Sequence, residues 1–162
     1  DNYYLNGIKI EGVRRYEIID IEEGVNKTVQ MTLQNGKMTY PDGTFSNKSK
    51  NITKYITYED KERVSTSVTG NARGVNSDGT AYEMEITSPI VFTRSCAKEL
   101  MHKKGKIPVS GVKRIVKGES EMIINYGDGE CDFIAEVTKD GVTETIDLKE
   151  IKRKRKFRKL KS

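Results

Sequence analysis

The chain has 162 residues, of which 35% are hydrophobic and 33% charged, with no tryptophan and a net charge of +5. This length fits one domain, and the low apolar content favours a thin sheet or sandwich over a helical bundle. No apolar run approaches the roughly 20 residues of a membrane-spanning helix, and no signal peptide is visible. Because the chain opens without a methionine, we expect a trimmed product that lacks an N-terminal portion of its domain.

The first predicted elements are two hairpins in a stretch that alternates apolar and polar residues with a period of two. Asn-Gly pairs interrupt the alternation, and such pairs accept the positive φ angles of two-residue hairpin loops. The first pair, at residues 6 and 7, places Leu5 opposite Ile8. The second, at residues 35 and 36, brings apolar side chains together across the loop: Leu33 with Met38, and Met31 with Tyr40.

Two Asp-Gly pairs, at residues 42–43 and 78–79, predict further turns. A long half-buried strand follows the second turn, with one face formed by Tyr82, Met84, Ile86, Ile90 and Phe92. Pro89 lies within this strand and predicts an edge, a bulge or a break there, since proline cannot donate to a sheet ladder. A short helix is predicted within residues 96–105, ending at a glycine.

The segment INYGDGECDFIAEVTKDGVTETIDL, residues 124–148, predicts a three-stranded meander. With residues 128 and 129 as the first loop, apolar side chains meet in three pairs: Tyr126 with Cys131, Ile124 with Phe133, and Met122 with Ala135. With residues 140 and 141 as the next loop, Ala135 faces Ile146 and Phe133 faces Leu148. The middle strand, residues 133–137, therefore serves both hairpins with one inward face.

The two cysteines, Cys96 and Cys131, are both predicted to point inward. A disulfide between them would close a loop of 35 residues, which in an oxidising compartment stabilises by roughly 4 kcal/mol. Two buried free thiols are the alternative. A Cys-His dyad with His102, the only histidine, is a third arrangement. The short lysine-rich segment between the two residues favours a solvent-facing histidine instead.

The tip of the meander carries oxygen-bearing side chains that suggest a calcium site. The predicted register places Asn125 opposite Asp132, with Asp128 and Glu130 between them at the turn. Calcium prefers such oxygen ligands, but the spacing lacks the alternating aspartates of known calcium loops. The structural alternative is that Asp128 makes the turn and Asp132 accepts a hydrogen bond from nearby backbone.

The C-terminal residues 149–162 contain nine lysines or arginines and one glutamate, a charge of +8. The rest of the chain therefore carries −3, the difference between +5 and +8. We divide the chain into a β domain, residues 1–150, and a basic tail, residues 151–162. The tail could bind a polyanion or an anionic membrane surface through Lys152, Arg153, Lys154, Arg155, Lys156, Arg158 and Lys159. A solvated chain end is the alternative.

Tyrosine is the main aromatic residue, with eight copies. Tyrosines at the edges of a sheet face can stack on sugars or contact partner proteins, because the ring is apolar and the hydroxyl can form hydrogen bonds at the surface. Most are explained more simply as core residues. No nucleophile elbow and no phosphate-binding glycine loop occurs, so neither a catalytic residue nor a cofactor is predicted.

Four segments resemble a group of cell-envelope proteins, mostly described as lipoproteins, from Bacteroides and its relatives. They are DNYYLNGIKIEGVRR, TGNARGVNSDGTAYEMEITSPIVFTRSC, PVSGVKRI and the meander segment above. Members of the group show an NYYVNG…EG segment, an ITSPL strand before a cysteine, an SG turn and a DYGNGxCDxxATVTxxG ending. The ending is the most specific, and the match extends to Leu148. Asn125 stands where aspartate is common, and the basic tail lies outside the pattern.

This resemblance implies export, a lipid anchor on an upstream cysteine that this sequence does not contain, and an all-β fold. Cys96 and Cys131 match the two cysteines of the pattern, which supports a shared structural role. No catalytic residues carry over. We therefore predict an antiparallel all-β domain, either a sandwich or an extended twisted sheet, in a non-enzymatic envelope protein with a structural or binding role. The alternatives are a carbohydrate-binding or carbohydrate-active module and, more weakly, polyanion binding through the tail. The expected partner is a protein or glycan, not nucleic acid.

Overall fold

The computed structural model describes residues 3–99 and 107–150, and their architecture is a single antiparallel sheet of ten strands. Neighbours in the sheet are neighbours in sequence, so the chain is one long meander without crossovers. The strands are β1 (Tyr3–Leu5), β2 (Ile8–Glu22), β3 (Asn26–Thr39), β4 (Phe45–Glu59), β5 (Glu62–Val75), β6 (Ala81–Thr93), β7 (Ser110–Lys117), β8 (Ser120–Asp128), β9 (Ile134–Lys139) and β10 (Val142–Asp147). The predicted all-β class is confirmed, and the architecture is the extended sheet rather than the sandwich.

Most of the predicted turns are present. The loop at residues 6 and 7 pairs Leu5 with Ile8, and the loop at residues 140 and 141 pairs Ala135 with Ile146. Both loops have positive φ at both central residues, as two-residue hairpins of this type require. The turns at residues 42–43 and 78–79 connect β3 to β4 and β5 to β6. These predictions are confirmed.

The hairpin predicted at Asn35 and Gly36 is wrong, because both residues lie inside β3. They form a bulge, where the pairing of β3 with β4 shifts between Leu33 and Gly36. The neighbouring strand β2 has a matching irregularity at Gly12, and a Cβ on Gly12 would lie 2.6 Å from the Gly36 Cα. The positive φ of Asn35 and the missing side chain of Gly36 therefore let two strands approach closely and do not reverse the chain.

The predicted register between β8 and β9 is also wrong. Ile124 pairs with Val137 and Met122 with Lys139, so the strands are offset by four residues from the predicted alignment. The even offset leaves each side chain on its predicted face. Residues 129–133 instead form a wide loop, in which Phe133 has a φ of 62° and is only 3% exposed.

The sheet has one apolar face along most of its width. Cross-strand partners share a face, and the register aligns Tyr16 with Met31 and Ile52, and Met84 with Ile115. On β6 the predicted alternation is confirmed, since the even-numbered residues are more buried than their neighbours as far as the bulge. Pro89 lies at that bulge, within the shift between Ser88 and Val91 in the pairing of β6 with β7.

The most buried cluster lies at one end of the C-terminal half of the sheet. It consists of Cys96, Ile107, Val109 and Phe133, with Val91, Cys131 and Leu148 packed against it. Helix α1 (Arg94–Glu99) supplies Cys96, which forms a disulfide with Cys131 of the β8–β9 loop across a Cα–Cα distance of 5.3 Å. The predicted disulfide is confirmed. The predicted helix starts two residues earlier than expected, and residues 100–106 lie outside the described part of the chain.

Candidate binding surface

The described residues form an open groove of about 580 Å³ that crosses five strands, β3 to β7. We call it the polar groove. Besides Lys50, its polar lining comes from Thr32, Gln34, Ser49, Asn51, Asn71, Arg73, Glu83, Glu85 and Arg114. These nine residues lie on the face opposite the apolar face, because they alternate with the residues of that face along each strand.

Two cross-strand rows build the polar groove. The register of the sheet fixes the first row as Thr32, Asn51, Asn71, Glu85 and Arg114, one residue from each strand. In the second row Ser49, Arg73, Glu83 and Val116 are aligned in the same way. The intervening residues, such as the buried Ala72, contribute the floor. The groove is therefore a product of strand order and register, not of a local motif.

Two glycines on β5 hold its backbone close to β4 on either side of the groove residues. A Cβ on Gly70 would lie 2.1 Å from the Asn51 carbonyl oxygen, and a Cβ on Gly74 would lie 2.1 Å from that of Asn47. Gly70 also has a φ of +126°, which side-chain-bearing residues rarely adopt. These positions require glycine, and they fix the local path of β5 beneath the lining.

Existing contacts orient two of the polar side chains. The Gln30 amide donates to Asn51 Oδ1 at 3.1 Å, which leaves the Asn51 amide hydrogens available to a ligand. The Arg114 Nε atom lies 2.5 Å from a Glu121 carboxylate oxygen. Both partners of this ion pair are nearly half exposed, so the pair orients the guanidinium more than it stabilises the fold. The groove thus offers hydrogen-bond donors and acceptors from neutral, cationic and anionic side chains, and two of these side chains, Asn51 and Arg114, are held by existing contacts.

The predicted calcium ligands are not arranged as expected. Asn125 pairs with Glu136, not with Asp132. Oδ1 atoms of Asn125, Asp128 and Asp132 each accept a hydrogen bond from the backbone N–H two residues later, at 3.1, 3.3 and 3.0 Å. Glu130 is exposed in the loop. Among the described residues, no group of three His, Cys, Asp or Glu side chains could hold a metal. The local geometry matches the structural alternative, in which these oxygens shape the loop.

The other sites predicted from the sequence are the Cys-His dyad and the basic tail. Cys96 is bonded to Cys131, so it has no free thiolate for the proposed dyad, and His102 lies outside the described residues. The basic tail, with Lys152, Arg153, Lys154, Arg155, Lys156, Arg158 and Lys159, also lies outside them, so polyanion binding stays a prediction. In the part of the chain that the structure describes, no helix has the length and apolarity of a membrane span.

Sequence reasoning missed an exposed apolar run on β2. Among the described residues, β1 pairs with Ile8 to Ile10 of β2, and the later residues of β2 pair with β3. Tyr16, Ile18, Ile19 and Ile21 in this part of β2 are each more than half exposed. The signal was present in the short apolar run around Ile18, which breaks the alternation of the preceding residues.

Comparison of the chain with protein-family models, with curated proteins and with solved structures gave no match.

Proposed function

We propose that this chain is a non-enzymatic protein of the cell envelope that binds a ligand or partner on its single-layer sheet. The observation that carries the proposal is the polar groove, a broad open concavity in which half of the lining residues, all of them polar or charged, are exposed. Fixed donors and acceptors of this kind suit recognition of a polar ligand. The disulfide supports an oxidising compartment, because such bonds persist outside the cytosol. The sequence resemblance to envelope lipoproteins supports an upstream lipid anchor.

Fractionation of the source cells tests the location. An antibody against the chain should detect it in the membrane and periplasmic fractions, with a cytosolic enzyme and an outer-membrane protein as fraction markers. Recovery of the chain with the cytosolic marker would contradict the proposal, and so would reduced cysteines in protein trapped with alkylating reagent at lysis.

A carbohydrate is the second candidate ligand class, and one exposed tyrosine favours it. Tyr55 is 45% exposed, and its cross-strand partners are Thr28 and Ser67. It lies on the same face as the polar groove, because it is four residues from Asn51 on β4. Sugars are bound by hydrogen bonds from amides and hydroxyls together with stacking on an aromatic ring. This face of the sheet provides all three groups.

An array of soluble glycans tests the carbohydrate candidate. Tyr55→Ala and Asn71→Ala should each weaken binding by about tenfold or more, since each removes one stacking or hydrogen-bonding group. The matched control is Tyr16→Ala, which removes a tyrosine that is 56% exposed on the opposite face. No binding of the wild-type chain to any glycan, or equal effects of Tyr55→Ala and Tyr16→Ala, would count against it.

Polyanion binding by the tail is a weaker alternative with its own experiment. Deletion of residues 153–162 should reduce retention on a heparin column if the tail makes the contacts, since each lost phosphate-like or sulfate contact lowers the salt needed for elution. Unchanged retention of the shortened chain would reject this alternative.

A further inference from the structure

Charged side chains are sorted between the two faces of the sheet. On strands β2 to β6 the register places every carboxylate on the face of the polar groove. They are Glu11, Glu17, Asp20, Glu22, Glu59, Glu62, Glu83 and Glu85. The charged residues on the apolar face of the same strands are all cations: Arg14, Lys27, Lys48, Lys50, Lys54 and Arg63. This part of the apolar face thus has a positive charge that no acidic side chain on it offsets.

Lys50 lies at the centre of this positive charge. It is placed between two groove residues along β4, so its side chain belongs to the apolar face, and Lys48 and Lys54 lie on that face of the same strand. Burial lowers the pKa of Lys50, and the positive charges of Arg14, Lys48 and Lys54 lower it further. Like charges held together on a partly dehydrated surface cost free energy, and an anion bound among them would remove that cost.

The chain itself supplies no counter-charge for these cations. None of the ion pairs found among the described residues includes Arg14, Lys48, Lys50 or Lys54. Residues 1–2, 100–106 and 151–162, which the structure does not describe, contain a single acidic side chain, Asp1. The negative charge that balances this face must therefore come from outside these 162 residues.

The side chains between the cations indicate what kind of anion fits. The cross-strand partners of Lys50 are Leu33 and Ala72, and the partner of Lys54 on β5 is Val68. These side chains form no hydrogen bonds, so an acidic polysaccharide would lose water from its hydroxyl groups here without gaining partners. Anionic lipids instead place their charge next to hydrocarbon. Lysine suits that boundary, because its stem covers apolar surface while its ammonium group reaches the charged layer.

We propose that the apolar face of β2 to β6 binds the surface of a membrane that contains anionic lipid, through Arg14, Lys48, Lys50 and Lys54. In this orientation the sheet lies on the membrane and the polar groove faces away from it. The inference goes beyond the proposed function and makes no use of the groove residues. An upstream lipid anchor would hold the chain near a membrane in any orientation, whereas this face selects one.

Binding of the full chain to vesicles of phosphatidylcholine, with and without phosphatidylglycerol, tests the proposal. Lys50→Gln/Lys54→Gln should weaken binding to the anionic vesicles about 25-fold, because each lysine near such a surface contributes about a factor of five. The matched control is Arg15→Gln/Lys37→Gln, which removes two cations from the groove face and leaves the same net charge and the same basic tail. The control should bind nearly as well as the wild type, and equal weakening of the two variants would overturn the proposal.

A heparin column distinguishes the membrane from a soluble polyanion. Retention on heparin, to which the basic tail can contribute, should fall equally in the two double variants, because heparin has no hydrocarbon for the apolar face. A selective loss of heparin retention in Lys50→Gln/Lys54→Gln, without a selective loss of vesicle binding, would assign this face to a polyanion and overturn the proposal. Circular dichroism melting curves check that both variants are folded.

A tryptophan reporter identifies the face that meets the membrane. The wild-type chain has no tryptophan, so a single introduced one reports only its own surroundings. Tyr16→Trp, on the apolar face, should shift its fluorescence to the blue when anionic vesicles are added, since indole enters the membrane interface. Tyr55→Trp, at a 45% exposed position on the groove face, should show no shift. Any result in which the shift of Tyr16→Trp does not exceed that of Tyr55→Trp would refute this orientation.

Discussion

Replacement of Cys96 and Cys131 by alanine should substantially lower the melting temperature. The bond ties α1 to the β8–β9 loop and closes a loop of 35 residues that contains β7 and β8. The loss of this closure gives the unfolded chain more conformations, so the free energy of unfolding falls. Both cysteines also contact the buried cluster around Phe133, and the variant loses that packing.

The size of the effect follows from the loop length. Closing a loop with a sequence separation of 35 residues contributes about 4 kcal/mol of stability at 25 °C. In a protein of this size each kcal/mol shifts the melting temperature by roughly 2–4 °C. The double variant should therefore melt roughly 8–16 °C below the wild type. Packing loss around Cys96, which is 3% exposed, adds to this shift.

Thermal unfolding followed by circular dichroism, with and without dithiothreitol, measures the shift. Reductant should lower the melting temperature of the wild type towards that of the Cys96→Ala/Cys131→Ala variant and should leave the variant itself unchanged. A wild type that loses less than about 3 °C when mass spectrometry shows full reduction would refute the loop-closure reasoning. A variant that also responds to reductant would show an effect unrelated to the bond.

Three further outcomes follow from the backbone and the turns. In urea unfolding, Gly70→Ala should lower the free energy of unfolding more than Gly79→Ala. Both glycines have positive φ, but only at Gly70 would the new Cβ collide with backbone atoms. Equal losses in the two variants would contradict this reasoning. Hydrogen bonds from the start of β8 lower the pKa of Asp140 below the usual aspartate value of 3.8, so its stabilisation is present above that pH and is lost as the pH falls below it. The melting temperature of Asp140→Asn should thus change less than that of the wild type between about pH 5 and pH 2; parallel curves would exclude this role. Millimolar calcium should leave the wild-type melting temperature unchanged, because side-chain oxygens of Asn125, Asp128 and Asp132 already accept backbone hydrogen bonds. A higher melting temperature in calcium would support the calcium site predicted from the sequence.

The two Asn-Gly pairs illustrate why local chemistry was only partly informative. Residues 6 and 7 form a hairpin loop, while Asn35 and Gly36 form a bulge within β3. Positive φ serves both purposes, so the dipeptide cannot distinguish them. The difference depends on Gly12 of the adjacent strand, whose Cα must approach Gly36. That contact joins residues far apart in sequence and has no local signature.

The register of β8 and β9 shows that the alternation of apolar residues was likewise only partly informative. Apolar alternation fixes which face a side chain occupies, and a shift of four residues preserves it. The burial of Phe133 beside Ile107 and Val109, together with the disulfide, determines the actual alignment. The polar groove could not be predicted for a related reason, because its rows join single residues from four or five different strands.

The sequence by itself determined that this protein is built from antiparallel strands and where four of its reversals lie. For the two cysteines it left a disulfide and two free thiols open, and the structure shows the disulfide. The strands and reversals depend on backbone propensities and on side-chain alternation within short stretches. The tertiary structure decided that the described strands form one layer instead of two, that Asn35 and Gly36 form a bulge, and which residues line the groove. Those outcomes depend on which strands come to lie side by side and in what register, and distant residues settle that jointly.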